Sequence, residues 1–294
     1  MNLFNKTVVL VALIGIAMVM VAGCADQGTQ AAEKGKIIGI EPGAGIMMMS
    51  EKAIEDYGLD FDLVASSSAG MASELTKAIG EEKWVVVTGW TPHWKFARYD
   101  LKYLDDPKGV YGGEEYIATL SRVGLSDDSP DLYSVIERFY WTPEDMASVM
   151  LNVEGGMTPE DAAAKWIADN PETVTEWIGG VSSDGEKVTI GYVLWDSEIA
   201  STTVIQQVLE QAGFNVDTSA VDAGPLYQAV ADGDVDFTIS SWLPATHKVY
   251  LDKYEGKIVV VGKNLEGAKV GLVVPTYVTI DSIDELNSVK EKFA

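Results

Sequence analysis

Trp90 and Trp242 sit in the same local phrase, Trp-x-Pro followed by a histidine, 152 positions apart (242 − 90). The first copy reads Val86-Val87-Thr88-Gly89-Trp90-Thr91-Pro92-His93-Trp94-Lys95, and the second Thr238-Ile239-Ser240-Ser241-Trp242-Leu243-Pro244-Ala245-Thr246-His247-Lys248. A third tryptophan, Trp195, follows the β-branched run 188–193. Indole faces combine apolar area with a negative quadrupole. They suit a quaternary ammonium, which has no N–H to donate and spreads its charge over methyl groups. Each face contributes roughly 0.5–2 kcal/mol, so three fall short of the roughly −8 kcal/mol of micromolar binding. The loop Pro42-Gly43-Ala44-Gly45-Ile46 can supply the rest. Its glycines let backbone N–H groups converge on an anion at the start of a helix predicted over 46–57. His247 adds a side-chain donor, and charge-assisted hydrogen bonds contribute about 1.5–3 kcal/mol each. The constellation fits a small zwitterion, cationic at one end and carboxylate at the other.

The elements that must position these residues read as α/β. Runs 85–88, 188–193 and 257–261 are β-branched and bounded by turn residues, as strands are. Stretches 71–79 and 201–212 have helical apolar spacing. Thr142-Pro143-Glu144-Asp145 and Thr158-Pro159-Glu160-Asp161 are helix starts with Thr as N-cap, Pro first and acids in the first turn. Strands alternating with helices imply largely parallel sheets. In open α/β sheets ligands bind beyond the carboxyl ends of strands. Gly89-Trp90, Ser241-Trp242, Trp195 and the 41–46 loop are all expected just beyond strand ends. Trp195 and the 41–46 loop are sequence equivalents (195 − 152 = 43).

The offset recurs elsewhere. Ile38-Gly39-Ile40 matches Ile190-Gly191-Tyr192 at 152, and Ala69-Gly70 matches Ala223-Gly224 at 154. Leu132–Phe139 matches Leu286–Phe293, also at 154. Such a period is too long for a solenoid unit and implies two similar halves, each able to form a lobe.

The N-terminus reads as a processing signal. Lys6 precedes the apolar run 7–21, which ends in Val21-Ala22-Gly23-Cys24, with the sole cysteine of the chain. The run is shorter than the roughly 20 residues that span a bilayer. It resembles a lipobox, implying a signal peptide over 1–23, lipidation of Cys24 and a tether over 24–36. An uncleaved anchor helix with an incidental cysteine is the alternative. About 255–260 residues remain, enough for two compact lobes. The 45 acids against 21 bases give a formal charge of −24, which argues against nucleic acid or anionic lipid as partner.

Four segments together, Ile38–Met47, Thr88–Trp94, Tyr192–Ser201 and Ser241–Lys248, resemble the glycine betaine-binding lipoproteins of ABC osmoprotectant importers. The resemblance runs from about Lys36 to the C-terminus. The segment order resembles the circularly permuted branch of that family. It implies a two-lobed, periplasmic-binding-protein-like fold of type II with the ligand in the interlobe cleft and two chain crossovers, near Lys108–Gly113 and Leu265–Lys269. The lobes expected are 37–110 plus 268–294, and 111–267. It also implies that Trp90, Trp195 and Trp242 form a prism around an ammonium, while the amides of Gly45 and Ile46 and the ring of His247 hold a carboxylate. No cofactor or metal is implied. The implied partners are glycine betaine, a membrane permease and its ATPase. The implied location is the extracytoplasmic face of the membrane, with Cys24 as anchor. Carnitine and choline remain alternative ligands.

His93 and Trp94 adjoin Trp90 and either extend the site or brace its loop. His247 has an alternative role as a helix-capping residue. Trp84, Trp141, Trp166 and Trp177 are expected to pack in the core or on the surface. An enzyme is poorly supported, with two histidines and no Gly-x-Ser-x-Gly, phosphate loop or HExxH spacing. A zinc receptor would need denser His/Asp/Glu clusters. An adhesin without a small ligand leaves the repeated Trp-x-Pro loops unexplained.

Overall fold

The computed structural model describes residues 33–294. The expected signal segment, Cys24 and the tether up to residue 32 lie outside the described residues. No described helix is long and apolar enough to cross a membrane.

The chain begins with β1 (Gly35–Ile38), α1 (Gly45–Tyr57), β2 (Phe61–Val64), α2 (Ser68–Gly80), β3 (Val86–Thr91), α3 (Trp94–Arg98), β4 (Leu101–Tyr103) and β5 (Glu115–Arg122). A helical stretch follows: α4 (Leu125–Asp128), α5 (Pro130–Arg138), α6 (Pro143–Glu154), α7 (Pro159–Asp169) and α8 (Pro171–Ile178). Then come β6 (Lys187–Tyr192), α9 (Asp196–Gln211), β7 (Asn215–Ala220), α10 (Ala223–Asp232), β8 (Phe237–Leu243), α11 (Lys248–Lys253), β9 (Ile258–Pro275) and a 3-10 helix (Ile283–Phe293).

Local chemistry accounts for the boundaries that matter. Thr142 and Thr158 accept the N–H of Asp145 and Asp161, and Pro143 and Pro159 take the first helical position. α1 buries Ile46, Met47, Ser50 and Ala53 and ends at Gly58, whose φ of +61° suits glycine. The two halves repeat a β-α-β-α-β unit. β1 pairs in parallel with β2 and β3, and β6 in parallel with β7 and β8. The third matched segment differs in form, being α-helical over Pro130–Arg138 and 3-10 over Ile283–Phe293.

The sheet order is β2-β1-β3-β9-β5-β8-β6-β7, with β4 also on β9. Its middle departs from the largely parallel expectation, because β9 runs antiparallel to β3, β4 and β5, and β5 antiparallel to β8. The run 257–261 is only the beginning of β9, an 18-residue strand. β9 changes partner along its length, pairing with β5 as far as Ala268 and with β3 from Lys269. Gly267, at φ +80°, sits at a register shift beside this change. The other passage between the two groups of strands is the segment 104–114.

Trp141, Trp166 and Trp177 pack with Phe139 at centroid separations of 4.8 to 5.8 Å. Trp84 meets Phe293 edge-on at 5.4 Å. These four tryptophans therefore serve packing, away from the strand ends where the other indoles gather.

Candidate ligand-binding site

Trp90 and Trp242 lie within β3 and β8 rather than just past them. Their antiparallel neighbours extend the ladders beyond Thr88 and Ser240, pairing Trp90 with Val270 and Trp242 with Ile117. Both prolines that follow are in cis peptide bonds, Thr91-Pro92 and Leu243-Pro244. Trp195 is the N-cap residue of α9, and Gly45 and Ile46 open α1. The carboxyl ends of β1, β3, β6 and β8 thus meet. There Gly45, Ile46, Trp90, Trp195, Trp242 and His247 line one small cavity with Ile40, Thr246 and Val270. All nine lining residues but Gly45, Thr246 and His247 are apolar or aromatic.

Each of the three indoles donates its N–H away from the cavity. Trp90 Nε1 donates to Ser197 Oγ at 3.1 Å and Trp242 Nε1 to Glu198 Oε1 at 2.7 Å. Trp195 Nε1 donates to Glu41 Oε1. The rings are held at their edges, which leaves π faces for whatever occupies the cavity.

The opposite chemistry sits at the start of α1. Ala44 caps it without a side-chain hydrogen bond, and among the described residues nothing accepts the N–H of Gly45 or Ile46. These are the orphan donors of a helix N-terminus, with the dipole behind them. His247 stands beside them. Its Nδ1 accepts the backbone N–H of Trp242 at 3.1 Å, and the backbone N–H of His247 donates to Trp242 O at 2.9 Å. That fixes the neutral tautomer with the proton on Nε2. Burial pushes the imidazole down to about 3, so it stays neutral. Nε2 is buried and has no partner among the described residues. The ring also stacks on Trp195 at 5.7 Å.

The approach of α1 to this loop requires glycine. A Cβ on Gly45 would lie 2.4 Å from Thr246 O and 3.0 Å from His247 Cδ2. The loop is anchored by buried Glu115, which accepts from Ala245 N at 2.9 Å, Thr246 N at 2.7 Å and Thr246 Oγ1 at 2.7 Å.

His93 and Trp94 do not line the cavity. Trp94 Nε1 donates to Asp196 Oδ1 at 3.1 Å, and His93 Nε2 lies 3.5 Å from Asp196 Oδ2, which also accepts from Ser68 Oγ at 2.6 Å. Burial works against the Asp196 charge, yet these donors hold its carboxyl well below the usual range. Burial also lowers His93, to about 4. Behind Trp90, on residues absent from the cavity wall, lies Lys95. It is fully buried, with Nζ 4.1 Å from the indole centroid, and burial brings its amine down to about 7.

Sequence reasoning missed Glu41, Glu115, Ser197, Glu198, Asp196 and Lys95. Asp196 and Glu198 stand in the first turn of a helix, where acids ordinarily serve the dipole. Only their position directly after Trp195 hinted at more. Among the described residues no group of three or more His, Cys, Asp or Glu side chains is arranged to hold a metal ion.

Comparison with known proteins bears on this geometry. Residues 24–169 and 186–294 match the family described as the substrate binding domain of ABC-type glycine betaine transport systems. The glycine betaine/carnitine transport binding protein GbuC of Listeria monocytogenes serotype 1/2a (strain 10403S) is 48% identical over 259 residues, covering 86% of each chain. A structure of lactococcal OpuAC, closed and complexed with glycine betaine, is 45% identical with a TM-score of 0.45, over 49% of this chain and 57% of that one. The glycine/betaine/L-proline-binding protein ProX of Borrelia burgdorferi is 34% identical with a TM-score of 0.44, over 49% and 55%. The chain thus spans little more than half the length of those two solved proteins. It belongs to the family of substrate-binding domains of ABC-type glycine betaine transport systems, and is a binding component rather than an enzyme.

Proposed function

We propose that the protein is the extracytoplasmic receptor of an ABC importer and captures glycine betaine, or a closely related betaine, between Trp90, Trp195 and Trp242. One observation carries this reading. The buried Nε2–H of His247, without a partner among the described residues, lies beside the free amides of Gly45 and Ile46 in a cavity that Trp90, Trp195 and Trp242 also line. Three donors converging on a carboxylate contribute about 1.5–3 kcal/mol each, and the indoles roughly 0.5–2 kcal/mol each. Together they offset the cost of fixing the ligand and reach micromolar binding or better. Choline has no carboxylate and forgoes the first set. Carnitine carries both charges, and the Listeria relative is named for both ligands, so it is the second ligand to test.

The ligand enters between two lobes, 37–110 with 268–294 and 111–267, joined by the segment 104–114 and by β9. Closure brings Glu41 to Trp195, Ser197 to Trp90, Asp196 to Ser68 and Trp94, and Tyr250 to Gly43. It also excludes water, which strengthens each polar contact. The closed form then docks on a membrane permease, driven by its ATPase. Cleavage before Cys24 and acylation of its thiol hold the protein at the membrane. Detergent partition of the wild type but not of Cys24→Ser is the expected sign of that anchor.

The test of the ligand is intrinsic tryptophan fluorescence and calorimetry with glycine betaine, carnitine and choline. Betaine is expected to bind at least about a hundredfold more tightly than choline, about 2.8 kcal/mol, which is the gross gain of the three donors less the cost of desolvating the carboxylate. Absence of both spectral change and heat with betaine would sink the reading.

A further inference from the structure

Two cavity walls are tied to one buried carboxylate. Trp242 Nε1 donates to Glu198 Oε1 at 2.7 Å, Ser197 Oγ donates to Glu198 Oε2, and Trp90 Nε1 donates to Ser197 Oγ at 3.1 Å. Glu198 is 1% exposed. Among the described residues it forms no ion pair with a lysine, arginine or histidine. Asp196, two positions before it, carries charge of the same sign and pushes its carboxyl further up. A buried carboxylate without a counter-charge is costly, and a neutral amide could accept from Trp242 Nε1 and donate to Ser197 Oγ without that cost. The hydrogen bonds alone therefore do not account for an acid at this position.

A cation in the adjoining cavity does. An indole N–H donated to a carboxylate draws electron density toward the ring and makes its π face more negative. The cavity is lined almost entirely by apolar atoms, so the field of the carboxylate reaches it with little screening. We propose that Glu198 is a positioning residue that sets the Trp242 and, through Ser197, the Trp90 indoles, and that its negative charge acts through those two rings as the counter-charge of a quaternary ammonium. This deepens the function proposed above and rests on it. Glu41 holds Trp195 in a similar way, but that carboxylate is part-exposed and more screened. Burial raises the Glu198 carboxyl to about 7, against the pull of Ser197 and Trp242, which favour the charged form. A cation in the cavity adds to that pull.

The experiment is Glu198→Gln, which keeps the volume and an acceptor for Trp242 Nε1 while removing the charge. Two probes are titrated: glycine betaine and 3,3-dimethylbutanoate, in which an uncharged tert-butyl group replaces the trimethylammonium. Betaine is followed by calorimetry and the weaker isostere by saturation-transfer NMR. The variant is expected to weaken betaine by about tenfold or more while leaving 3,3-dimethylbutanoate within about threefold of the wild type. Equal weakening of both probes would mean a purely structural role and overturn the proposal, as would unchanged betaine affinity. Should Glu198→Gln fail to fold, Ser197→Ala cuts the Trp90 branch and one of the two hydrogen bonds to Glu198, leaving Trp242 on the carboxylate. There a loss of about threefold for betaine alone is expected, and no loss, or an equal loss for both probes, overturns it. A wild-type protein that binds no betaine removes the functional reading and this inference with it. A wild type that binds betaine while both variants match it removes this inference alone.

Discussion

Gly45→Ala is expected to weaken betaine binding by roughly 10- to 150-fold without destabilising the ligand-free protein. The added Cβ would sit 2.4 Å from Thr246 O, 2.5 Å from Thr246 Cγ2 and 3.0 Å from His247 Cδ2. An ordinary contact is 3.4 Å or longer, so α1 and the 245–247 loop must separate by about 1 Å. Thr246 has little room to yield, because Glu115 holds both its N–H and its hydroxyl at 2.7 Å. Hydrogen bonds from Gly45, Ile46 and His247 to one carboxylate cannot all survive such a separation. Losing one of them removes about 1.5–3 kcal/mol, which is the quoted range in Kd. The helix itself gains from the change, since alanine is the better helix former by about 1 kcal/mol. In the proposed open form the two segments are apart, so the cost falls on closure. Calorimetry with glycine betaine should compare wild type, Gly45→Ala and Gly58→Ala. Gly58, at φ +61° with no neighbouring atom within 4 Å, is expected to lose stability on substitution but not affinity. Wild-type affinity within about twofold in Gly45→Ala would refute the cradle.

Trp195→Ala and Trp242→Ala should each weaken betaine at least about tenfold, or 1.4 kcal/mol, by calorimetry, and a variant of undiminished affinity would remove that ring from the cage. Lys95 gives a pH prediction. Its buried amine lies at about 7 instead of 10.5, so between those values the unfolded chain holds the extra proton. Stability should therefore rise as pH climbs from 7 to 10.5, by at most about 5 kcal/mol less what the Trp90 face returns. Urea melts of Lys95→Met, set against wild type, should show that slope reduced and the protein more stable at pH 7; an unchanged slope would mean the amine is satisfied in the fold. Glu115→Ala strands three donors and should lower both stability, by about 3 kcal/mol or more, and betaine affinity. Thermal melts that match the wild type would show that the 245–247 loop holds itself.

The residues facing the cavity were legible because each breaks a local habit. An indole repeated at the end of a hydrophobic strand, a glycine pair before a helix and a histidine after Trp-x-Pro have few simpler uses. Helix starts were legible for the same kind of reason, as at Thr142 and Thr158. The central strands were harder. Gly262-Lys263-Asn264 and Glu266-Gly267 interrupt the apolar pattern of β9, and only the antiparallel neighbours on both flanks make one strand of it. Those same neighbours draw Trp90 and Trp242 into the ladder, which a reading of single segments places just beyond it. The acceptors behind the indoles were illegible because an acid in the first turn of a helix already has a sufficient local reason. Lys95 was hidden by the reverse habit, since lysine is ordinarily solvated.

The asymmetry of the site follows from how two equivalent helix starts are filled. α1 follows β1 as α9 follows β6, and both N-termini point at the same cavity. A helix N-terminus is a positive end, and it can be answered from within or from outside. α1 has no acid in its first turn and no side-chain cap, so its free amides remain for an external anion. α9 carries Asp196 and Glu198 in its first turn, directly after Trp195, so its positive end is answered by the protein's own carboxylates. Those carboxylates then receive the N–H groups of Trp94, Trp90 by way of Ser197, and Trp242. One end of the cavity is left electropositive and the other is backed by negative charge behind aromatic faces. On the function proposed above, a duplicated β-α unit with a different filling at each helix start becomes a receptor for a dipole. Exchanging the two fillings, rather than altering the indoles, would be the change that reverses which end of a zwitterion each half prefers.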